Sequence, residues 1–222
     1  MIKKYFAAFS LLFFSLCAIA QRQERAIVMN EDAPSGKGLT ARFNYTGLID
    51  PFDQNLSFGG EYKLNEHWST GIDLAWIFAS LYLSESKHAN GLIARPFIRY
   101  YPWGNKKGFF EAVVHYKYVS YRITDWVGQD VTNGVPAYEE YRAFHFNKNA
   151  FGLHLNAGTS ANLSRDKRLK MEFYLGLGMR FKTQGADIGE YDRQRRGFGK
   201  LYDPNFSNIS LPMGARLVYD IQ

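Results

Sequence analysis

The sequence predicts an all-β protein, an eight-stranded antiparallel up-and-down transmembrane β-barrel of the outer-membrane type with a polar, filled interior. Three observations predict it. The chain begins with an export signal, most of the remainder alternates apolar and polar residues with period two, and the glycines share the polar phase of that alternation. Together they predict a charged face inside the barrel and an apolar face outside.

The first 20 residues have the pattern of a secretory signal peptide. Lys3 and Lys4 form the basic start, residues 6–16 are an apolar run, and Ala20 ends a small-x-small cleavage site. An uncleaved membrane anchor is the alternative, but the run is short for a helical span. We therefore predict cleavage after Ala20 and export.

The domain organisation follows from that signal. Residues 1–20 are the signal peptide, 21–38 an N-terminal periplasmic segment and 39–222 the transmembrane β-barrel. Cleavage removes Cys17, the only cysteine, so the mature chain needs no disulfide. It also removes two lysines, which lowers the net charge from +6 to +4. This mild charge, without a basic stripe, argues against nucleic-acid binding.

The composition argues against helices as membrane-crossing elements. Mean hydropathy is −0.32. No apolar run after the signal approaches the ~18 residues that a helical span needs. Aromatic residues nevertheless make up 17% of the chain. That combination fits an exported β protein.

Eight segments alternate apolar and polar side chains and are predicted strands. They span residues 39–46, 56–64, 68–76, 91–101, 110–118, 151–158, 169–181 and 209–221. A helix over the seventh segment would place Gly176 and Gly178 in its interior, which is unfavourable. Pro96 lies within the fourth segment and deletes a ladder donor, so a bulge or strand end is expected there.

The predicted connections alternate in length, as they do in up-and-down outer-membrane barrels. Short ones follow the second, fourth and sixth strands, at residues 65–67, 102–108 and 162–168. Long ones follow the third, fifth and seventh strands, at residues 79–90, 120–149 and 182–208. Only the first connection, 50–54, is short where a long one is expected. We predict periplasmic short turns and extracellular long loops.

The glycines indicate which face points inward. On the apolar phase lie only Gly47 and Gly60. The charged phase contains Gly59, Gly71, Gly91, Gly152, Gly158, Gly176, Gly178 and Gly214. The interior of an eight-stranded barrel is narrow, so small residues belong there and bulky apolar residues belong outside. An apolar outer surface is an aggregation hazard in water but is required in a bilayer, and this predicts an outer-membrane location.

The predicted inward set carries most of the strand charges. Its members are Arg42, Glu61, Lys63, Asp73, Arg95, Arg99, Glu111, His115, Lys117, His154, Lys170, Glu172, Arg180, Arg216 and Asp220. We expect these side chains to pair into a plug, because unpaired buried charge is costly. The alternative is an ion or proton path, and hence a narrow pore.

Two segments carry a resemblance to a known group. They are NLSFGGEYKLNEHWSTGIDLAW, Asn55 to Trp76, and RPFIRYYPWGNKKGFFEAVVHYKY, Arg95 to Tyr118. On these segments the chain resembles the small outer-membrane β-barrel proteins of Bacteroidota-type bacteria, and within them a domain-of-unknown-function group. The resemblance implies an outer-membrane barrel and supplies no catalytic residues.

The long loops are the predicted sites of function. Four basic residues in 182–208, Arg193, Arg195, Arg196 and Lys200, could bind lipopolysaccharide phosphates or an anionic partner, or could form a solvated loop. Segment 120–149 contains Trp126 and is either a protein-docking surface or an extension of the barrel. The expected partners are therefore outer-membrane lipid, lipopolysaccharide and a protein at the loops, with the oligomeric state left open.

No residue set predicts a reaction, a cofactor or a metal site. The one candidate for catalysis is His67 with Ser69 and the adjacent Glu66, by analogy with barrels that modify lipid A. It lies in a predicted periplasmic turn, whereas lipid A lies in the outer leaflet. We therefore predict a non-enzymatic role in membrane structure, surface interaction or assembly. A lipid A-modifying enzyme, a narrow pore and a soluble periplasmic barrel are the alternatives.

Overall fold

Nine strands and one short 3-10 helix form the fold of the part of the chain that the structure describes. The computed structural model of the chain describes residues 38–50, 53–80, 86–103, 107–130, 132, 136–186 and 209–221. The strands are β1 (Leu39–Asn44), β2 (Asp53–Lys63), β3 (Trp68–Ser80), β4 (Ser86–Tyr100), β5 (Gly108–Gln129), β6 (Tyr138–Asn162), β7 (Leu169–Ala186), β8 (Ile209–Ser210) and β9 (Met213–Asp220). The predicted signal peptide and nearly all of the predicted periplasmic segment, residues 1–37, lie outside the described residues.

The strands form an antiparallel up-and-down sheet that closes into a ring. From β1 to β7 each strand pairs with the next one in the chain. β9 then pairs with both β7 and β1, and the short β8 pairs with β7. At the closure, Arg42 of β1 lies opposite Gly59 of β2 on one side and Val218 of β9 on the other. Closure removes the exposed edges that an open sheet would present.

The alternation places charged and small residues inside the ring and apolar residues outside. Gly71 faces inward, and a Cβ built there would lie 2.1 Å from the carbonyl oxygen of Gly60 and 2.5 Å from the Phe97 ring. Gly60 faces outward and has nothing within 4 Å of its Cβ position. The glycine argument for the inward face is therefore confirmed at this pair.

The last predicted strand is interrupted. Leu211 and Pro212 separate β8 from β9, so the eighth predicted strand becomes two. Proline has no N–H to donate to the ladder, while its carbonyl oxygen still accepts a hydrogen bond from the Gly176 N–H at 2.8 Å. The expectation of a bulge or strand end at Pro96 is wrong. β4 continues through it, and pairing with β5 resumes at Phe97 in unchanged register.

Two of the predicted long loops are mostly strand. β5 and β6 pair continuously from Gly108–Thr159 to Gln129–Tyr138, so residues 120–129 and 138–149 extend the strands, and a docking role for them stays a prediction. The connection between β5 and β6 is residues 130–137, and the one between β3 and β4 is residues 81–85. We call the end of the ring with these connections the loop end, and the opposite end the turn end.

The first strand is shorter than predicted. β1 ends at Asn44, and the 3-10 helix Tyr45–Ile49 follows it, so Tyr45 and Thr46 are not in the sheet. Among the described residues, no helix has the length and apolar character that a membrane crossing requires.

Candidate functional site

The interior of the ring contains a network of fully buried ions, which we call the ionic core. Its members are Arg42, Glu61, Asp73, Arg99, Glu111, Glu172 and Arg216, and none is more than 6% exposed. Each was predicted to point inward, because each lies on the polar phase of its strand. Their burial confirms the polar, filled interior.

Arg99 joins the two central carboxylates of the ionic core. Its Nη2 donates to Glu111 Oε2 at 2.6 Å, and its Nη1 donates to Glu172 Oε1 at 2.9 Å. Arg216 contacts the same two acids, at 3.0 Å to Glu111 Oε2 and 2.7 Å to Glu172 Oε2. Arg42 lies 3.1 Å from Asp73. Such charge-assisted bonds offset the cost of removing the ions from water.

Aromatic rings and hydroxyl groups complete the ionic core. The Arg42 guanidinium lies 3.8 Å from the centre of the Phe97 ring, and that of Arg99 lies 4.0 Å from the Phe109 ring. Phe97 lies on the polar phase of its strand, between Arg95 and Arg99, and this stacking explains an aromatic residue there. The Tyr101 hydroxyl donates to Glu61 at 2.6 Å.

Near each end of the interior, a single carboxylate accepts hydrogen bonds from several side chains. At the turn end, Asp220 accepts hydrogen bonds from Lys63 at 3.1 Å, Lys170 at 2.8 Å and Thr40 at 2.8 Å. Toward the loop end, Asp53 is bound by Lys117 and by the hydroxyls of Tyr121 and Ser80, at 2.9 and 2.8 Å. The sequence interpretation missed Asp53 and Tyr121, because it began the second strand at Leu56 and treated 120–149 as a loop.

A second charged group lies between the ionic core and the loop end, and we call it the basic layer. It consists of Arg95, His115, Lys117, Lys148, His154, Arg180 and Lys182. The rings of His115 and His154 are 5.1 Å apart, and Arg180 Nε donates to His154 Nε2 at 3.2 Å. Lys148 and Lys182 were not in the predicted inward set, since both lie in segments assigned to loops.

Along the hairpin of β5 and β6, the balance of polar and apolar side chains on the inward and outward faces changes. Below Val119, the inward face carries the charged or polar Glu111, His115 and Lys117 together with the apolar Phe109 and Val113. Tyr116, Tyr118 and Phe151 point outward at about two-fifths to one-half exposure. Above it the buried residues form an apolar cluster beside one buried carboxylate, Asp125. The members of that cluster are Ala75, Ile77, Ala89, Ile93, Val119, Tyr121, Ile123, Val127, Phe144 and Phe146. The outward positions there include Arg122 and His145. We call residues 120–129 with 138–147 the upper hairpin.

The predicted binding residues divide into two groups. Trp126 lies on the outward face of the upper hairpin, is 58% exposed, and packs against Tyr141 with a ring separation of 5.3 Å. Arg193, Arg195, Arg196 and Lys200 lie outside the described residues, so the structure does not place them. Trp126 therefore remains a candidate for contact with a partner.

The candidate catalytic pair does not form. Ser69 is fully buried and donates to Glu61 at 2.7 Å. His67 lies in the turn after β2, and its Nδ1 is 2.9 Å from the carbonyl oxygen of Tyr101. Ser69 is thus buried and His67 exposed, and they bind different partners, whereas a serine nucleophile requires the histidine within hydrogen-bond reach.

No protein-family model matches the chain, and no curated protein matches it. Among solved structures, the crystal structure of Acinetobacter baumannii CarO2 is similar to it, with 14% sequence identity and a TM-score of 0.39 over 83% of this chain and 97% of that chain. A likeness at this level carries no argument about function. The resemblance to Bacteroidota-type barrels stays a prediction.

Proposed function

We propose that this chain is an outer-membrane β-barrel that crosses the bilayer with its ring of strands and acts at the cell surface through the upper hairpin. Its role is non-enzymatic, in membrane structure, surface interaction or assembly. Lipid and lipopolysaccharide surround the ring, and a protein partner contacts the upper hairpin.

The exchange of faces along β5 and β6 is the observation that supports this proposal. A protein in water buries apolar side chains, as the upper hairpin does around Tyr121 and Phe146. The lower part of the same strands does the opposite, and Leu155 on its outer face is 71% exposed. Acyl chains are the environment in which that outer face is stable. A solvent boundary near Tyr118 accounts for both halves.

The strand lengths agree with that boundary. β7 presents an outward apolar run, from Leu175 through Leu177 and Met179 to Phe181, with each residue at least half exposed. At ~3.3 Å per residue and a tilt of ~40°, about ten residues cross an apolar band of ~25 Å. β5 has 22 residues, so it extends well beyond such a band.

The surface role rests on the exposed aromatic pair of the upper hairpin. Trp126 and Tyr141 are 58% and 56% exposed and lie above the proposed boundary, where lipid does not cover them. Aromatic residues of this kind anchor protein interfaces. The lipid A-modifying alternative lacks a nucleophile–base pair at its candidate site, because His67 and Ser69 bind different partners.

Fractionation and surface proteolysis test location and orientation together. The chain is expressed in a Gram-negative host, its membranes are separated, and intact cells are treated with trypsin. We expect recovery in the outer membrane and cleavage at Arg193, Arg195 or Arg196. The turn-end sites Arg165 and Lys167 serve as matched controls and are expected to be cut only after the cells are opened. Recovery in the soluble fraction, or cleavage at Arg165 in intact cells, would contradict the proposal.

A further inference from the structure

Aromatic side chains on the outward faces of β3 and β5 direct their polar groups toward the loop end. The Trp76 indole N–H donates to Asn90 Oδ1 at 2.9 Å. The Tyr118 hydroxyl donates to Asn147 Oδ1 at 3.4 Å. Trp76, Leu92 and Tyr118 form one register row, which we call the Trp76 row, and both asparagines lie one row closer to the loop end. Aromatic residues with a polar tip take this orientation at a membrane interface. In the proposed orientation, the Trp76 row therefore marks the edge of the hydrocarbon.

A polar patch on β4 and β5 lies immediately beyond the Trp76 row, and we call it the outer patch. In it His88 lies opposite Arg122, and Asn90 lies opposite Ser120. All four side chains face outward, and all but the half-buried Ser120 are exposed. The two rows of the patch lie two and four residues beyond the Trp76 row, a rise of roughly 5–10 Å at ~3.3 Å per residue and ~40° tilt. The headgroup layer begins at the hydrocarbon edge and is roughly 5–7 Å thick, so the outer patch lies at its level.

The outer patch offers hydrogen-bond donors that the rest of the described chain does not use. An indole N–H can only donate, so the Asn90 oxygen must face Trp76, and the Asn90 amide nitrogen keeps two N–H donors for another partner. Within the described part of the chain, the side chains of His88 and Arg122 have no hydrogen-bond or ion-pair partner. Arg122 is permanently charged, and the patch itself contains no carboxylate. It is therefore suited to an anion with several acceptor oxygens.

The surface directly below the outer patch is apolar. Trp76, Leu92 and Tyr118 are 57%, 49% and 39% exposed on the same outward face. A ligand that covers both surfaces needs an anionic group above and hydrocarbon below, which is the composition of a phosphate-bearing lipid. A free anion would contact the donors alone. The arrangement of the two surfaces therefore favours a lipid.

We propose that the outer patch binds a phosphate group of lipid A, the lipid of the outer leaflet, whose acyl chains lie along the Trp76 row. Arg122 pairs with the phosphate through its fork of N–H donors, and His88, Asn90 and Ser120 add single hydrogen bonds. The inference rests on the proposed outer-membrane location, because the loop end faces the outer leaflet only in that orientation. It uses none of the basic residues that the sequence predicted for contact with lipopolysaccharide.

Native mass spectrometry of the detergent-solubilised full chain tests the site. The two probes are phosphorylated lipid A and the same lipid A after removal of its phosphates. We expect saturable binding of the phosphorylated form and at least about fivefold weaker binding of the other. Arg122→Gln should weaken binding of the phosphorylated form about fivefold, the usual contribution of one basic residue at an anionic lipid surface. Arg165→Gln is the matched control, since it removes the same charge from an exposed position at the turn end. It should bind lipid A like the unmodified chain.

Three results would overturn the lipid A site. The first is equal binding of the two forms of lipid A by the unmodified chain. The second is an equal loss in the Arg122→Gln and Arg165→Gln variants, which would indicate charge attraction without a site. The third is displacement of bound lipid A by excess inorganic phosphate, which would indicate a free-phosphate site. A chain that fails these tests but fractionates with the outer membrane overturns this inference alone, whereas recovery in the soluble fraction overturns the proposed function.

Discussion

Arg99 illustrates how a narrow interior can hold ions. Its side chain is fully buried, and it bonds to Glu111, Glu172 and the Tyr101 hydroxyl. A buried ion pair is weak support for stability in itself, since desolvation offsets much of the attraction. Removal of one partner is different, because it leaves an uncompensated charge in a low-dielectric site. A substitution in the ionic core should therefore be most destabilising at a residue that binds several partners.

The variant Arg99→Met tests this shared role. It keeps most of the side-chain volume but leaves Glu111 and Glu172 with fewer partners, so we expect the free energy of unfolding to fall by about 3–5 kcal/mol. Arg168→Met is the control, because Arg168 is exposed in the turn before β7 and its ion pair with Asp166 is long, at 3.9 Å. It should leave stability unchanged. Urea unfolding in detergent micelles, followed by tryptophan fluorescence, measures both. Equal stability of the two variants would show that the core tolerates the unpaired acids.

At the scale of the element, β6 carries two environments on one outward face. Leu155 is 71% exposed in its lower half, and Ala143 is exposed on the same face in the upper hairpin. The inward face changes in the opposite sense, from His154 and Asn156 to Phe144 and Phe146. The proposed solvent boundary accounts for this change, because acyl chains stabilise an apolar outer face and water stabilises a polar one.

Lysine substitutions at these two positions test the boundary. For the chain folded in lipid vesicles, Leu155→Lys should lower the free energy of unfolding by about 2–4 kcal/mol, the cost of a charge on the lipid face at mid-bilayer. Ala143→Lys, twelve residues earlier on the same face, should change it little, since water solvates the new charge. Vesicle-based urea titrations give both values. A similar cost at both positions would contradict a boundary near Tyr118.

The sequence predicted the strand phases well and the strand ends poorly. The side chains that meet at the ionic core lie on the polar phase of clear alternations, so their inward direction follows from period two alone. The upper hairpin also has period two, in Val119, Tyr121, Ile123 and Val127. Its apolar residues point inward, however, whereas those of the lower strands point outward. A pattern with polar residues inside therefore ends at Tyr118. The unbroken alternation from Phe109 to Val127 was the signal that could have found Tyr121.

At the scale of the whole molecule, ring closure could not be predicted from local pattern. The partner of Arg42 across the closure is Val218, 176 positions away, and no local signal specifies that register. Closure brings β1, β4, β5, β7 and β9 round a single axis, and only then do Arg42, Arg99 and Arg216 share the same carboxylates. The plug is thus a property of the closed ring, although the alternation within each strand already predicts which of its residues point inward.

The closed ring should not conduct ions. Two features form barriers to conduction, the paired charges of the ionic core and the apolar cluster on the inward faces of β3 to β6, around Ile77, Tyr121 and Phe146. Paired charges offer no free site to a permeating ion, and an apolar constriction excludes water. In planar bilayers with concentrated potassium chloride we expect flat current traces, under conditions that resolve single openings of a general porin. Stepwise conductance from the purified chain would mean that one barrier opens, and it would favour the narrow pore over a closed, surface-acting barrel.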